Sequence, residues 1–190
     1  MSLSPLDRPG EWTFDELVRL PDDGRRWEIV DGVLLAVTPP TRLHEHVVDA
    51  LRRQLEPQLP GGWAVATEFG LRLGTDGRLP DLGIVRDDVA FAPDTVGRDP
   101  DEATLLIEVV SRSSRKNDRF FKPIEYAQAG VPAFWRVELQ PEVFVVAHEL
   151  VGSAYHETAT ARDVLTVEQP FPLRVSVTDI LPPHLRGATG

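Results

Sequence analysis

The hydrophobic and polar positions of the chain fall into short runs of changing period, separated by clusters of Gly, Pro and Asp. TFDELVRLP offers Thr13 as an N-cap, Glu16 as its capping-box partner and Pro21 as a stop, which predicts a short helix. RRWEIV and VLLAV are β-rich runs joined by Asp31-Gly32, a pair that tolerates positive φ at both turn positions. Trp27 to Val37 therefore reads as a hairpin. After the break at Pro39-Pro40, Thr41 can cap a helix running to Leu55, with Leu43, Val47, Ala50, Leu51 and Leu55 at helical spacing. Three strands are predicted next, Trp63 to Leu73, Leu79 to Val85 and Thr104 to Val110. In TLLIEVV both alternating sets of positions are apolar, as in a central strand covered on both faces, so Glu108 is a carboxylate in low dielectric. Ser113 to Ala129 reads as one helix or two short ones, closed at Ala129-Gly130. VPAFWRVEL returns as a strand, and strands near Val143 to Glu149, Ser153 to Thr158 and Leu173 to Val177 read as antiparallel additions. The residues from Arg186 to Gly190 are expected to be loose. This order predicts a mixed sheet with helices packed on it, with Trp27, Trp63 and Trp135 in the core.

A length of 190 residues fits a single domain, with a core over about 15–139 and added strands over about 142–178. No run approaches the roughly 18 apolar residues that span a membrane, and MSLSPLDRPGEW lacks a basic segment followed by an apolar one. A cytoplasmic protein is expected. Cysteine is absent, which excludes disulfides and thiolate ligands and leaves His and oxygen ligands, hence a hard cation, for any metal. The formal net charge of -10 argues against a broad phosphate-binding surface. Against that stands a local basic segment, Arg112, Arg115, Lys116, Arg119 and Lys122, although a charge run alone is usually a solvated helix face.

Asp81 follows Pro80 at the start of one strand and Glu108 lies inside the next. If those strands are neighbours the carboxylates converge, and a divalent cation removes the cost of keeping both ionised. Two residues beyond Glu108 stands Val110, so a nearby lysine must come from elsewhere. Lys122 is the candidate because Asp118, Lys122 and Tyr126 recur at i, i+4 and i+8 on one helix face, although Pro123 is expected to kink that helix. Tyr126 reads as packing, with its hydroxyl orienting Lys122. Glu28, before the hairpin turn, is either an outward-facing acid or a third carboxylate of the site. His44 is a helix-start histidine suited to capping or surface exposure. The i, i+2 spacing of His44 and His46 places them on different helix faces.

The segments LPDLGIV and LLIEVVSRSSRKNDRFFKPIEYAQAGVPAFWRVEL, preceded by WEIVDGVLLAVTPPTRLHEHV, resemble the Uma2 family of restriction-endonuclease-like proteins within the PD-(D/E)XK superfamily. The likeness covers roughly Asp15 to Leu139 and rests on the ordered set Pro80-Asp81, Glu108-Val109, Ser111, Asp118, Lys122, Tyr126, Gly130-Val131 and Trp135. It implies an α/β, restriction-endonuclease-like mixed β-sheet flanked by helices, here with an N-terminal hairpin and C-terminal antiparallel additions. It also implies Asp81 and Glu108 as ligands of Mg²⁺ or Mn²⁺, Lys122 as a displaced catalytic lysine, and Glu28 and His44 at further polar positions. The chain departs from the family pattern at Arg112, where a proline is usual, and at Ala133, where an acid is usual. The expected activity is divalent-metal-dependent endonucleolytic hydrolysis of DNA. The competing expectation is a nuclease-fold binding or assembly module with weak catalysis, since fold alone does not confer activity. A homodimer suits either.

Overall fold

A computed structural model describes residues 11–20, 24–91 and 97–186; Pro21 and residues 187–190 lie outside the described residues. The chain opens with α1 (Phe14–Leu17), where Glu16 Oε2 accepts the Thr13 N–H at 3.1 Å. The hairpin follows as β1 (Trp27–Val30) and β2 (Val33–Ala36), with Asp31 and Gly32 at φ 51° and 73°. Thr41 caps α2 (Arg42–Leu55) by accepting the His44 N–H. Then come β3 (Trp63–Thr67), β4 (Gly70–Leu73), β5 (Asp76–Arg78), β6 (Leu82–Arg86), α3 (Asp87–Ala90), β7 (Gly97–Arg98) and β8 (Ala103–Val110). A π-helical turn over Asn117–Phe121 leads into α4 (Lys122–Gln128). The chain ends with β9 (Ala133–Glu138), β10 (Phe144–Val151), β11 (Ala154–Ala161), β12 (Val164–Val167) and β13 (Leu173–Ser176).

The fold is mixed α/β. A six-stranded sheet has the order β11-β10-β9-β8-β6-β3, a five-stranded sheet the order β2-β1-β5-β4-β7, and β12 pairs with β13. Within the larger sheet β8 and β9 are parallel, whereas β6 runs antiparallel to β8. All eight residues of β8 are buried, as a strand covered on both faces requires. Leu105, Ile107 and Val109 face the cluster built with Val47, Ala50, Leu51 and Leu55 of α2. Leu106 faces the other cluster with Tyr126 and Phe134, and alternation turns Glu108 to that same side.

Two strand expectations are corrected. Trp63 to Leu73 is not one strand: the chain turns at Glu68, φ 52°, and β3 and β4 enter different sheets. The strand expected from Leu79 begins only at Leu82, and Asp76–Arg78, between the two expected strands, forms β5 of the smaller sheet. The short β7 and β12 were likewise not expected. Trp27 and Trp135 are in the core; Trp63 is half-buried and packs edge-on to Phe171, with ring centroids 5.4 Å apart.

Gly83 fixes how β6 lies under the β3–β4 turn. A Cβ there would stand 2.6 Å from Phe69 Cζ and 2.8 Å from Cε1, and Phe69 is itself buried. The ring cannot swing away as a flexible chain end would. Gly83→Ala is expected to lower stability by about 1–3 kcal/mol, the usual cost of overpacking a filled core. An unchanged urea midpoint would contradict this packing.

Candidate active site

The site forms where the two sheets meet the turn before α4. Glu108, 1% exposed, accepts hydrogen bonds from Lys122 Nζ at 3.0 Å on each of its carboxylate oxygens. Tyr126 donates its hydroxyl to Glu108 Oε1 at 2.7 Å. This corrects the expected role of Tyr126: its partner is the carboxylate and not the lysine. The same ammonium lies 3.4 Å from Glu28 Oε1 and 3.6 Å from Asp118 Oδ1. Lys122 is thus buried among three carboxylates, contributed by β1, β8 and the π-helical turn.

Asp81 stands one residue before β6, and the register that pairs Leu82 with Ile107 sets it opposite Glu108. Its Oδ2 accepts the Val109 N–H at 2.7 Å, supplying an acceptor where the β6 ladder has not yet begun. His44 Nε2, from the first turn of α2, meets the same oxygen at 3.0 Å. His44 is therefore a partner of Asp81 in addition to donating its backbone N–H to Thr41.

The π-helical turn explains how Lys122 reaches inward. Pro123 has no N–H to give to the carbonyl four residues back, so an uninterrupted α-helix through this point would lose a bond. The chain adopts π spacing instead: the Lys122 N–H bonds to the Asn117 carbonyl, five residues back, and Pro123 falls in the first turn of α4, where a proline costs nothing. The expected kink is replaced by this widened turn, which keeps Asp118, Lys122 and Tyr126 buried on one side. Upstream, the Ser111 and Ser114 hydroxyls are 2.7 Å apart, and Ser114 donates its hydroxyl to Asp118 Oδ2 in a short hydrogen bond.

Burial pushes the Glu108 carboxyl well above its ordinary range; Lys122 and the Tyr126 hydroxyl oppose this, and Asp81 and Asp118 reinforce it. Burial likewise raises Asp118 to about 6, against the opposing pull of Lys122 and Ser114. For Lys122 burial disfavours the charge, yet the surrounding Glu108, Glu28, Asp118 and Asp81 outweigh it and hold the ammonium above its ordinary value. His44 is also raised: desolvation lowers it, and the bond and charge of Asp81 more than compensate.

Other members of this arrangement carry no sequence motif. Arg78, 2% exposed, donates to Glu28 Oε2 at 3.1 Å and holds Glu125 of α4 through paired bonds of 2.6 and 2.7 Å. Its partners lie 47 and 50 positions away, so nothing local marks it. Asp118 was visible in the i, i+4 pattern with Lys122, but only the fold shows that it is buried. Of the basic segment, Lys122 turns inward and Arg119 makes a paired salt bridge to Glu138 at 2.8 Å, while Arg112, Arg115 and Lys116 are exposed.

The family model of Uma2, described as "Putative restriction endonuclease", matches residues 14–180. The chain belongs to the Uma2 family. Every residue of the site lies inside the Uma2 match, which spans both large sheets. Five solved chains match, among them "a putative nuclease belonging to DUF820" from Anabaena variabilis, solved at 1.96 Å. That structure superposes with a TM-score of 0.69 at 15% identity, covering 88% of this chain and 96% of the other. At that identity the likeness establishes a shared nuclease-like fold. No curated protein matches the chain. Among the described residues no helix is long and apolar enough to cross a membrane, and no group of three or more His, Asp and Glu side chains is arranged as a ready metal cage.

The raised acids have a consequence for stability. Between the ordinary Asp value of 3.8 and the folded value of about 6, the folded protein keeps a proton on Asp118 that the unfolded chain has released. Stability contributed by that proton is present below this window and is lost as pH rises through it, because the folded state then binds more protons than the unfolded one. Thermal unfolding followed from pH 4 to 7 is expected to show a smaller fall in Asp118→Asn than in the wild type. An identical pH profile for the two would contradict the burial assigned to Asp118.

Proposed function

We propose that this protein is a divalent-metal-dependent phosphodiesterase acting on DNA, with Asp81, Glu108 and Lys122 as its catalytic residues. The observation that carries this reading is the register that sets Asp81, one residue before β6, opposite Glu108 of β8, with the Lys122 ammonium on both oxygens of Glu108. The donor set suits a hard cation: Asp81, Glu108, Glu28 and Asp118 offer oxygen ligands, and Asp118 Oδ1 is buried without a hydrogen-bond partner. With Glu125 included, five carboxylates face two permanent cations, Lys122 and Arg78, so the negative charge is in excess when all are ionised. Asp81 and Glu108 are the residues that would hold Mg²⁺ or Mn²⁺, and Glu28 and Asp118 would supply the negative field around them. When bound, the ion polarises a phosphoryl oxygen and lowers the pKa of an attacking water.

The remaining work falls to the protein. Lys122, held above its ordinary pKa, stays protonated at neutral pH and is therefore an electrostatic group, not a base. Its ammonium can stabilise the negative charge that builds on the reacting phosphate. Tyr126 fixes the rotamer of Glu108, and the Val109 N–H together with His44 fixes that of Asp81. Both acids are thus oriented before substrate arrives, the condition for electrostatic preorganisation.

A second reading, a nuclease-fold binding module, draws on one observation: the pair between Lys122 and Glu108 is closed on both oxygens, and that lysine comes from a helix while Val110 occupies the strand position. Cleavage assays separate the two. With Mg²⁺ or Mn²⁺ the wild type is expected to nick DNA, and Asp81→Asn and Glu108→Gln each to abolish nicking. Lys122→Ala is expected to slow nicking by about 10²-fold or more, as for removal of a preorganised donor, while Mn²⁺ binding measured by calorimetry persists. Equal nicking by wild type and Asp81→Asn would assign the activity to a contaminant. Mn²⁺ binding without hydrolysis of any polynucleotide would favour the binding module.

A further inference from the structure

We propose that Arg112, Arg115, Lys116, Phe120, Phe121 and Ile124 form a docking face for an unpaired DNA strand, so that the substrate is single-stranded or locally opened DNA; this rests on the phosphodiesterase reading above. These residues lie on the connection between the strand that carries Glu108 and the helix that carries Lys122. The face combines two features.

The first is its charge. The protein has a formal net charge of -10, and many of its arginines are committed to carboxylates: Arg52 and Arg53 to Asp49, Arg72 to Asp15, Arg86 to Asp88, Arg162 to Glu142 and Arg186 to Asp179. Arg112, Arg115 and Lys116 are exposed and have no carboxylate partner among the described residues, and Lys116 instead lies 5.4 Å from the Phe121 ring centroid. From residue 111 to 124 the sole acid is Asp118, which is buried. The outer face of this segment is therefore cationic on an anionic protein.

The second is its aromatic surface. Phe120, Phe121 and Ile124 are 63%, 44% and 57% exposed, a cost in water that a folded chain usually avoids in adjacent large side chains. The π-helical turn produces this exposure, because turning Asp118 and Lys122 inward leaves residues 120, 121 and 124 outside. It also sets Lys116 five residues before Phe121, the π spacing, which is how the ammonium comes over the ring.

Phosphate-seeking cations interleaved with exposed rings are the combination that binds single strands: the cations track the backbone and the rings stack on bases. In duplex DNA the bases are stacked on one another and offer no face to a side chain. A second copy packed on this face about a two-fold axis would set its cations against their equivalents with no exposed acid to receive them. Charge complementarity therefore favours the polyanion.

The test is fluorescence anisotropy of the full-length protein with labelled oligothymidylate and with a duplex of equal length, in EDTA so that binding is read apart from hydrolysis. Oligothymidylate is expected to bind more tightly than duplex. Phe120→Ala with Phe121→Ala should weaken it by about ten-fold or more, the range for loss of base stacking, and Phe121→Tyr, which keeps the ring, should not. Arg112→Ser with Arg115→Ser should reduce the slope of log affinity against log salt by about 0.7 for each phosphate no longer neutralised. Because these side chains are exposed, circular dichroism should be unchanged. A preference for duplex, or wild-type affinity in the phenylalanine variants, would overturn the proposal. So would a dimer-to-monomer change on ultracentrifugation with DNA binding unaltered, which would make the face an interface between copies. Binding in EDTA lost in the phenylalanine variants, with no hydrolysis by the wild type in either metal, would remove the phosphodiesterase reading and leave the docking face. Hydrolysis that is equal in wild type and phenylalanine variants at subsaturating DNA would do the reverse.

Discussion

The Lys122 ammonium, buried beside Glu108, Glu28 and Asp118, is the interaction on which the arrangement depends. It ties a strand of the smaller sheet, the central strand of the larger sheet and the turn before α4 to one atom. Arg78 repeats the device a few residues away, joining Glu28 of β1 to Glu125 of α4. Removing these charges from water costs several kcal/mol per ion before any attraction is counted, and well-packed apolar residues can hold elements together as firmly. A junction built for stability alone would have little reason to place five acids and two permanent cations together. Burial is what chiefly pushes Glu108 and Asp118 upward, and the neighbouring acids add to it; that added repulsion is the property that a hard divalent cation would relieve.

What could be read in the sequence was local. The Asp31-Gly32 turn, the cap at Thr41 and the apolar face of α2 depend on neighbours within a few residues, and each is found where its pattern puts it. Strand β8 was legible because burial on both faces leaves an apolar run in which one acid stands out. The division of Trp63 to Leu73 was not, because Glu68 adopts positive φ without being glycine, a choice set by the two sheets that compete for the flanking residues. Arg78 was invisible for a related reason. Its role is defined by carboxylates far along the chain, and nothing in DGRLPD distinguishes an arginine that will be buried from one that will be solvated.

The segment from Ser111 to Gln128 shows how one covalent constraint sorts residues that look alike. In sequence it is a basic run, and composition assigns all its cations to one solvated face. Pro123 lacks the N–H that an α-helix would use here, and the π-helical turn that accommodates it adds a residue to the turn and rotates what precedes it. Three fates result. Lys122 goes inward to Glu108, Arg119 is spent on Glu138, and Arg112, Arg115 and Lys116 remain outside.

That sorting also reconciles a net charge of -10 with the polyanionic substrate proposed above. At physiological salt the screening length is about 8 Å, so a charge distributed over the whole surface acts weakly at the site, and the local sign decides what can approach. On the segment from Ser111 to Ile124 the outward charges are positive, and its one acid, Asp118, is turned inward. A phosphate approaching that segment would meet cations, and the carboxylates of the junction would act on it only once a cation of their own stood between. Contacts to phosphate weaken as salt rises, which would make base stacking on Phe120 and Phe121, which salt does not screen, the more durable part of recognition. On that proposal, a chain that gains little from long-range attraction to duplex DNA gains most by gripping the bases themselves, and only an opened strand presents them.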